Sequence, residues 1–264
     1  MSEAKRRRIE NVVASVQQRY GPQALRRGGE LDERRAPPHL STGFSNLDAI
    51  TGCGGAPLGE ITLLSGHSTS GKLTLAYKLL ADGQRTGLGG RTVHTVALLD
   101  LARTADPDYA ARCGLDLNFL LVGRPVIGRQ TVEMIGDLMQ SRKVRVLVVD
   151  SLADLTANQA AAHALDAMLP HLRQLVRISG CALIFLEEPQ APWLRWLNLD
   201  ASRRVRWAAA LHIEMRREQW LRRRGELVGY RAQAHVLKSQ WRQKAGSAAV
   251  EITFNGTVKA SGTW

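Results

Sequence analysis

The chain has 264 residues, enough for one large domain or for a core with a small appendage, and 44% of them are hydrophobic. No apolar run reaches the length of about 18 residues that a membrane-spanning helix needs, and the start, Met1 to Arg8, is charged with no apolar stretch behind it, unlike a secretory signal. The formal net charge is +12, and thirteen Lys/Arg against four Asp/Glu fall between Gln190 and Lys244, together with five of the six Trp.

In chain order, Ile9, Val12, Val13 and Val16 recur at helical spacing within a predicted helix from Arg6 to Tyr20, which Gly21-Pro22 stops. A polar, Gly/Pro-containing linker follows, so residues 1–38 form an N-terminal helix and linker and residues 39–264 the main domain. There, strands and helices alternate, which argues for an α/β fold with a mostly parallel sheet flanked by helices. Strands are predicted at Ile61–Ser65, Val93–Asp100, Val144–Asp150 and Ala182–Leu186, and helices at Lys72–Leu80, Gln130–Arg142 and Asn158–Ile178. Strand-like runs close the chain at Ala208–Met215, Tyr230–Leu237 and Ala248–Phe254, with a turn at Arg222–Gly225 between the first two. The three cysteines, Cys53, Cys113 and Cys181, are widely spaced and read as reduced thiols of a cytoplasmic protein.

The segment Gly66-His67-Ser68-Thr69-Ser70-Gly71-Lys72 matches the G-x-x-x-x-G-K part of a phosphate-binding loop and lies between a predicted strand and helix. The glycines let backbone N–H groups curl around phosphate oxygens, the helix N-terminus adds positive dipole, and Lys72 would reach the β- and γ-phosphates of ATP. The next position calls for a hydroxyl that binds Mg2+, but it is Leu73, which cannot ligate a hard cation. Thr74 points about 100° away on a helix. Magnesium binding is therefore expected to be weak or absent. Asp150, ending an apolar strand, is the candidate acid that would hold the metal through water; capping the next helix is its alternative role.

These features resemble the RecA family. The resemblance runs through Leu40–Asp48, Leu58–Gly66, Leu99–Asp116 and Val149–Thr156. It implies a RecA-like core, adenine contact by Asp106 and Tyr109, and contact with a neighbouring protomer's nucleotide through Lys238. It also implies losses. The glutamate that activates water in the family falls on Ala102, the Asn-Gln pair that senses the γ-phosphate falls on Glu187-Glu188, and a second lysine falls on Gln240. No catalytic residue is therefore expected. The first DNA-binding loop is shortened away, and the family's C-terminal domain has no counterpart. The stretch Arg217–Arg224 through Gly229–Lys238 looks like ImuA, the RecA-like accessory of translesion polymerases.

Basic residues attract phosphate backbones and interleaved Trp can stack bases. Single-stranded DNA contact is thus expected at Trp193, Arg195, Trp196, Arg203, Arg204 and Arg206, supported by Arg222, Arg223 and Arg224; an Arg-rich solvated face over core Trp is the alternative. The expected role is an accessory in DNA repair, recombination and the SOS response to DNA damage, partnered by a RecA filament or a translesion polymerase. Self-association through the N-terminal helix is expected as well. An active strand-exchange enzyme and a nucleotide-free interaction protein are the competing classes.

Overall fold

The computed structural model describes residues 3–22, 24–25, 36–85, 93–188, 200–241, 246–254 and 258–260. They divide into two compact units, Met1–Arg35 and Ala36–Trp264.

In the first unit, helix α1 spans Glu3–Tyr20. It ends where Gly21 adopts a positive φ of 95° and its N–H bonds the Gln17 carbonyl, a left-handed stop that glycine accepts without steric penalty. Ile9 and Val12 on its apolar stripe are 39% and 59% exposed.

The second unit is an α/β core. Short strands β1 (His39–Leu40) and β2 (Ala56–Pro57) pair with each other around α2 (Ser45–Thr51). The principal strands are β3 (Ile61–Gly66), β4 (Thr95–Asp100), β5 (Leu120–Gly123), β6 (Val144–Asp150) and β7 (Ala182–Glu187). They are followed by β8 (Leu211–Arg223), β9 (Glu226–Ser239), β10 (Gly246–Thr253) and β11 (Val258–Ala260). One nine-stranded sheet has the order β11-β10-β9-β8-β3-β7-β6-β4-β5. Every pairing from β8 to β5 is parallel, and the three pairings from β8 to β11 are antiparallel.

Helices cover both faces of the parallel part, so its central strands read as continuous apolar runs. Alternate residues feed two cores. Leu64, Val148, Ile184 and Leu186 pack toward α3 (Lys72–Gln84). Leu63, Leu147, Val149 and Phe185 pack toward α5 (Arg129–Gln140), α7 (Gln159–Ser179) and α8 (Asp200–Ala208). Two short helices, α4 (Pro107–Arg112) and α6 (Leu152–Ala157), start on side-chain caps from Asp106 and Ser151.

The predicted strand from Ala208 to Met215 is corrected at both ends. Ala208 closes α8, whose buried side is Ala201, Val205 and Ala208. Strand β8 begins at Leu211 and runs eight residues past Met215, where no residue is fully buried and apolar alternation gives no signal. The turn beyond it is also tighter than expected. Arg222 and Arg223 are paired strand residues, and only Arg224 and Gly225, both at positive φ, make the bend, as a two-residue hairpin requires. Val93, the first residue of its predicted strand, lies before β4, in an isolated bridge to Arg85.

Candidate nucleotide site and cationic surface

Strand β3 ends in the phosphate loop and α3 begins at Lys72, so the loop lies at the carboxyl end of the sheet, where open α/β sheets bind ligands. Its glycines are structurally required. A Cβ on Gly66 would collide with the Ser70 hydroxyl and the Met215 carbonyl, and one on Gly71 would stand 2.6 Å from Ile252 Cδ1 at a φ of +97°. A cavity of about 380 Å3 opens against the loop. Ser68, Thr69, Gly71, Lys72, Leu73 and Thr74 line one side of it, and Ala102, Asp150 and Glu188 another. Gly66, His67 and Ser70 border a second cavity on the β8 side of the loop.

The residues present do not fit a magnesium ion. Leu73 packs against the core. The Thr74 hydroxyl lies 2.9 Å from that of Tyr109 and is engaged there. Asp150 is 5% exposed, and its Oδ2 accepts a 2.8 Å hydrogen bond from the Thr104 hydroxyl. Burial raises its pKa, against the Thr104 hydrogen bond and the nearby charge of Lys72. Among the described residues no cluster of three or more His, Cys, Asp or Glu could hold a metal. Lys72 Nζ turns back to the His67 carbonyl at 3.4 Å.

Two acids follow β7 in different roles. Glu187 is buried and accepts both hydrogen bonds of a forked contact from Arg206, at 2.9 and 2.8 Å, plus one from the Ser202 hydroxyl. Glu188 is exposed and accepts from the Ser68 backbone N–H at 2.8 Å, so a carboxylate holds one of the phosphate loop's own donors.

The first cavity also has an aromatic lining. Tyr109 lines it, whereas Asp106 does not and instead caps α4 by accepting the Tyr109 N–H at 3.0 Å. Trp220, Tyr230 and Phe254 line the cavity as well, with ring centroids 5.9 to 6.4 Å apart. Sequence reasoning missed these three. Trp220 and Tyr230 become partners only through the cross-strand register of β8 and β9. Arg217 was missed as well; its guanidinium stacks 4.2 Å from the Trp220 centroid and donates to the Thr69 hydroxyl at 2.6 Å.

Of the residues assigned to DNA, Trp193, Arg195 and Trp196 lie outside the described residues. Arg203 and Arg204 are exposed on α8, Arg204 pairing with Asp166 at 3.1 Å. Trp207, one turn further on, is 75% exposed, and its spacing puts it on the same helix side as both arginines. Arg206 turns the other way, into the pair with Glu187. Lys238 lies outside both cavities and donates to the carbonyls of Arg206 and Trp207, capping the C-terminus of α8. Arg222, Arg223 and Arg224 are exposed at the tip of the β8–β9 hairpin. No helix among the described residues is long and apolar enough to cross a membrane.

Comparison with known proteins agrees with this architecture. Residues 7–180 match the family described as RecA N-terminal domain. The chain is 29% identical to the RecA protein of Roseiflexus sp. (strain RS-1), over 99% of this chain and 77% of that one. It is 26% identical to RecA of Chloroflexus aurantiacus (strain ATCC 29364 / DSM 637 / Y-400-fl), over 98% and 76%. With RecA of Pseudomonas putida it shares 25% identity, over 99% and 76%.

Proposed function

The chain belongs to the RecA family, and on that premise we propose that it is a DNA repair and recombination accessory that binds adenine nucleotide weakly and hydrolyses it poorly. One contrast carries this reading. The loop from Gly66 to Lys72 keeps both glycines and the lysine of the motif, while the two side-chain positions that metal binding and water activation need are Leu73 and Ala102. Loss of a catalytic base commonly costs about 10²–10⁴ in rate. The test is nucleotide binding measured beside turnover, with and without single-stranded DNA. Binding that Lys72→Ala abolishes, with little hydrolysis, is expected; a robust DNA-stimulated ATPase lost in Lys72→Ala would identify an active strand-exchange enzyme instead.

The DNA surface in this reading is the outer side of α8, Arg203, Arg204 and Trp207, with the segment carrying Trp193, Arg195 and Trp196 and the hairpin arginines in support. The protein partner is a RecA filament or a translesion polymerase in the cytoplasm. The exposed stripe of α1 docks on a neighbouring protomer, either a copy of this chain or a RecA, so deleting residues 1–21 abolishes assembly.

A second reading, an interaction protein that uses no nucleotide, draws support from the Glu188 carboxylate on the Ser68 N–H. Titration with ATP separates the two.

A further inference from the structure

The second cavity, about 420 Å3, lies between the phosphate loop and β8, with Gly66, Ser68, Ser70 and Arg217 in its lining. Ser70 is 2% exposed, and its hydroxyl has no hydrogen-bond partner among the described residues. Buried hydroxyls are ordinarily paired, so this one fits a ligand that brings a polar atom to the loop. Arg217 is held at the same place from two directions, by the Trp220 ring below its guanidinium and by the Thr69 hydroxyl at 2.6 Å. A guanidinium carries five N–H donors in a rigid fork suited to phosphate oxygens, and the bond to Thr69 uses one of them.

The Ser68 N–H, by contrast, is taken by Glu188. Lys72 Nζ lies 3.4 Å from the His67 carbonyl, so the amine that serves the β- and γ-phosphates in such loops sits at the same end as Ser68. A carboxylate there repels the terminal phosphate of a triphosphate.

We propose that the loop binds a nucleoside diphosphate without a divalent cation, Arg217 supplying the positive charge and Glu188 excluding a third phosphate. This rests on the nucleotide reading above and deepens it. The chain delivers in cis, from β8, the cation that Leu73 no longer lets a metal provide. The diphosphate meets Lys72 and Arg217 together, while Glu188 keeps its hydrogen bond to Ser68.

Calorimetric titration of the full chain with ADP and with ATP, in EDTA and in magnesium, tests it. In EDTA the wild type binds ADP about tenfold or more tighter than ATP, and magnesium shifts the ADP affinity by less than about threefold. Arg217→Met weakens ADP by about tenfold or more, the loss that one charge-assisted phosphate contact produces. Glu188→Gln brings ATP to within about threefold of ADP. An unchanged ADP affinity in Arg217→Met, at an unchanged melting temperature, overturns the proposal and leaves nucleotide binding standing. So does ATP binding tighter than ADP, or an ADP affinity that rises about tenfold with magnesium. Binding of neither nucleotide overturns this proposal and the nucleotide reading together.

Discussion

In β3, β6 and β7 every residue except Arg145 is buried, whereas β8 has no fully buried residue beyond Met215 and β9 has none before Gly229. The two parts of one sheet thus divide the work. The parallel strands, covered on both faces, hold the phosphate loop and Asp150 in register through backbone pairing and close packing. The antiparallel flank is half in solvent, and it carries Trp220, Tyr230 and Phe254 to the first cavity and Arg217 to the second. Its exposed side chains can be exchanged with little loss of stability, so the outer positions of the flank are where this chain has room to acquire chemistry of its own.

The largest effect falls in the parallel part. Phe185, 0% exposed in β7, should cost about 3–5 kcal/mol when replaced by alanine, read as a lowered denaturation midpoint. A small loss there would mean that the central strands do not dominate stability. Next comes the tie between β7 and α8. Arg206→Ala leaves Glu187 buried without its guanidinium, and the cost is about 2 kcal/mol once solvent at the arginine is allowed for. Trp207→Ala should weaken single-stranded DNA binding by about 1–3 kcal/mol while leaving the melting temperature in place, because the ring is exposed. Unchanged DNA affinity would assign α8 to a protein partner.

A smaller effect depends on pH. His212 shares a 2.8 Å hydrogen bond with the Ser65 hydroxyl. Burial lowers its pKa; Arg206 and Lys238 lower it further, against Glu187 and Glu214. Its folded pKa lies below its unfolded one, so the unfolded state takes up a proton first as pH falls. Stability is full above the ordinary histidine value of about 6.5 and declines below it. Urea denaturation of wild type and His212→Gln across that range should show the decline shrinking in the variant. The smallest change in stability belongs to the hairpin tip. Replacing Arg222, Arg223 and Arg224 by alanine should move stability by no more than about 0.5 kcal/mol. If all three meet phosphates, the log–log salt slope for single-stranded DNA drops by about 2.

Much of the fold was legible because doubly covered strands have a composition that flags them. Val144–Asp150 has the bounds read from sequence, and Ile61 and Ala182 begin their strands as expected. Helix α8 was not legible, since a buried side of Ala201, Val205 and Ala208 among arginines is a weak periodic signal. The hairpin arms were misjudged for the opposite reason. Beyond Met215 no residue of β8 is fully buried, and exposed arginines carry no alternation.

The amino-acid sequence by itself showed the G-x-x-x-x-G-K loop and the leucine after it, because both depend on residue type at a fixed spacing along a strand, loop and helix. The meaning of Ala102 came instead from the resemblance to the RecA family. Only the tertiary structure decided which distant groups meet that loop. Glu188 reaches Ser68 across 120 residues and Arg217 reaches Thr69 across 148. Trp220 faces Tyr230 because the hairpin register places them opposite each other. These contacts follow from strand order, β7 and β8 lying on either side of β3, and strand order is set by the packing of the whole core rather than by any local pattern.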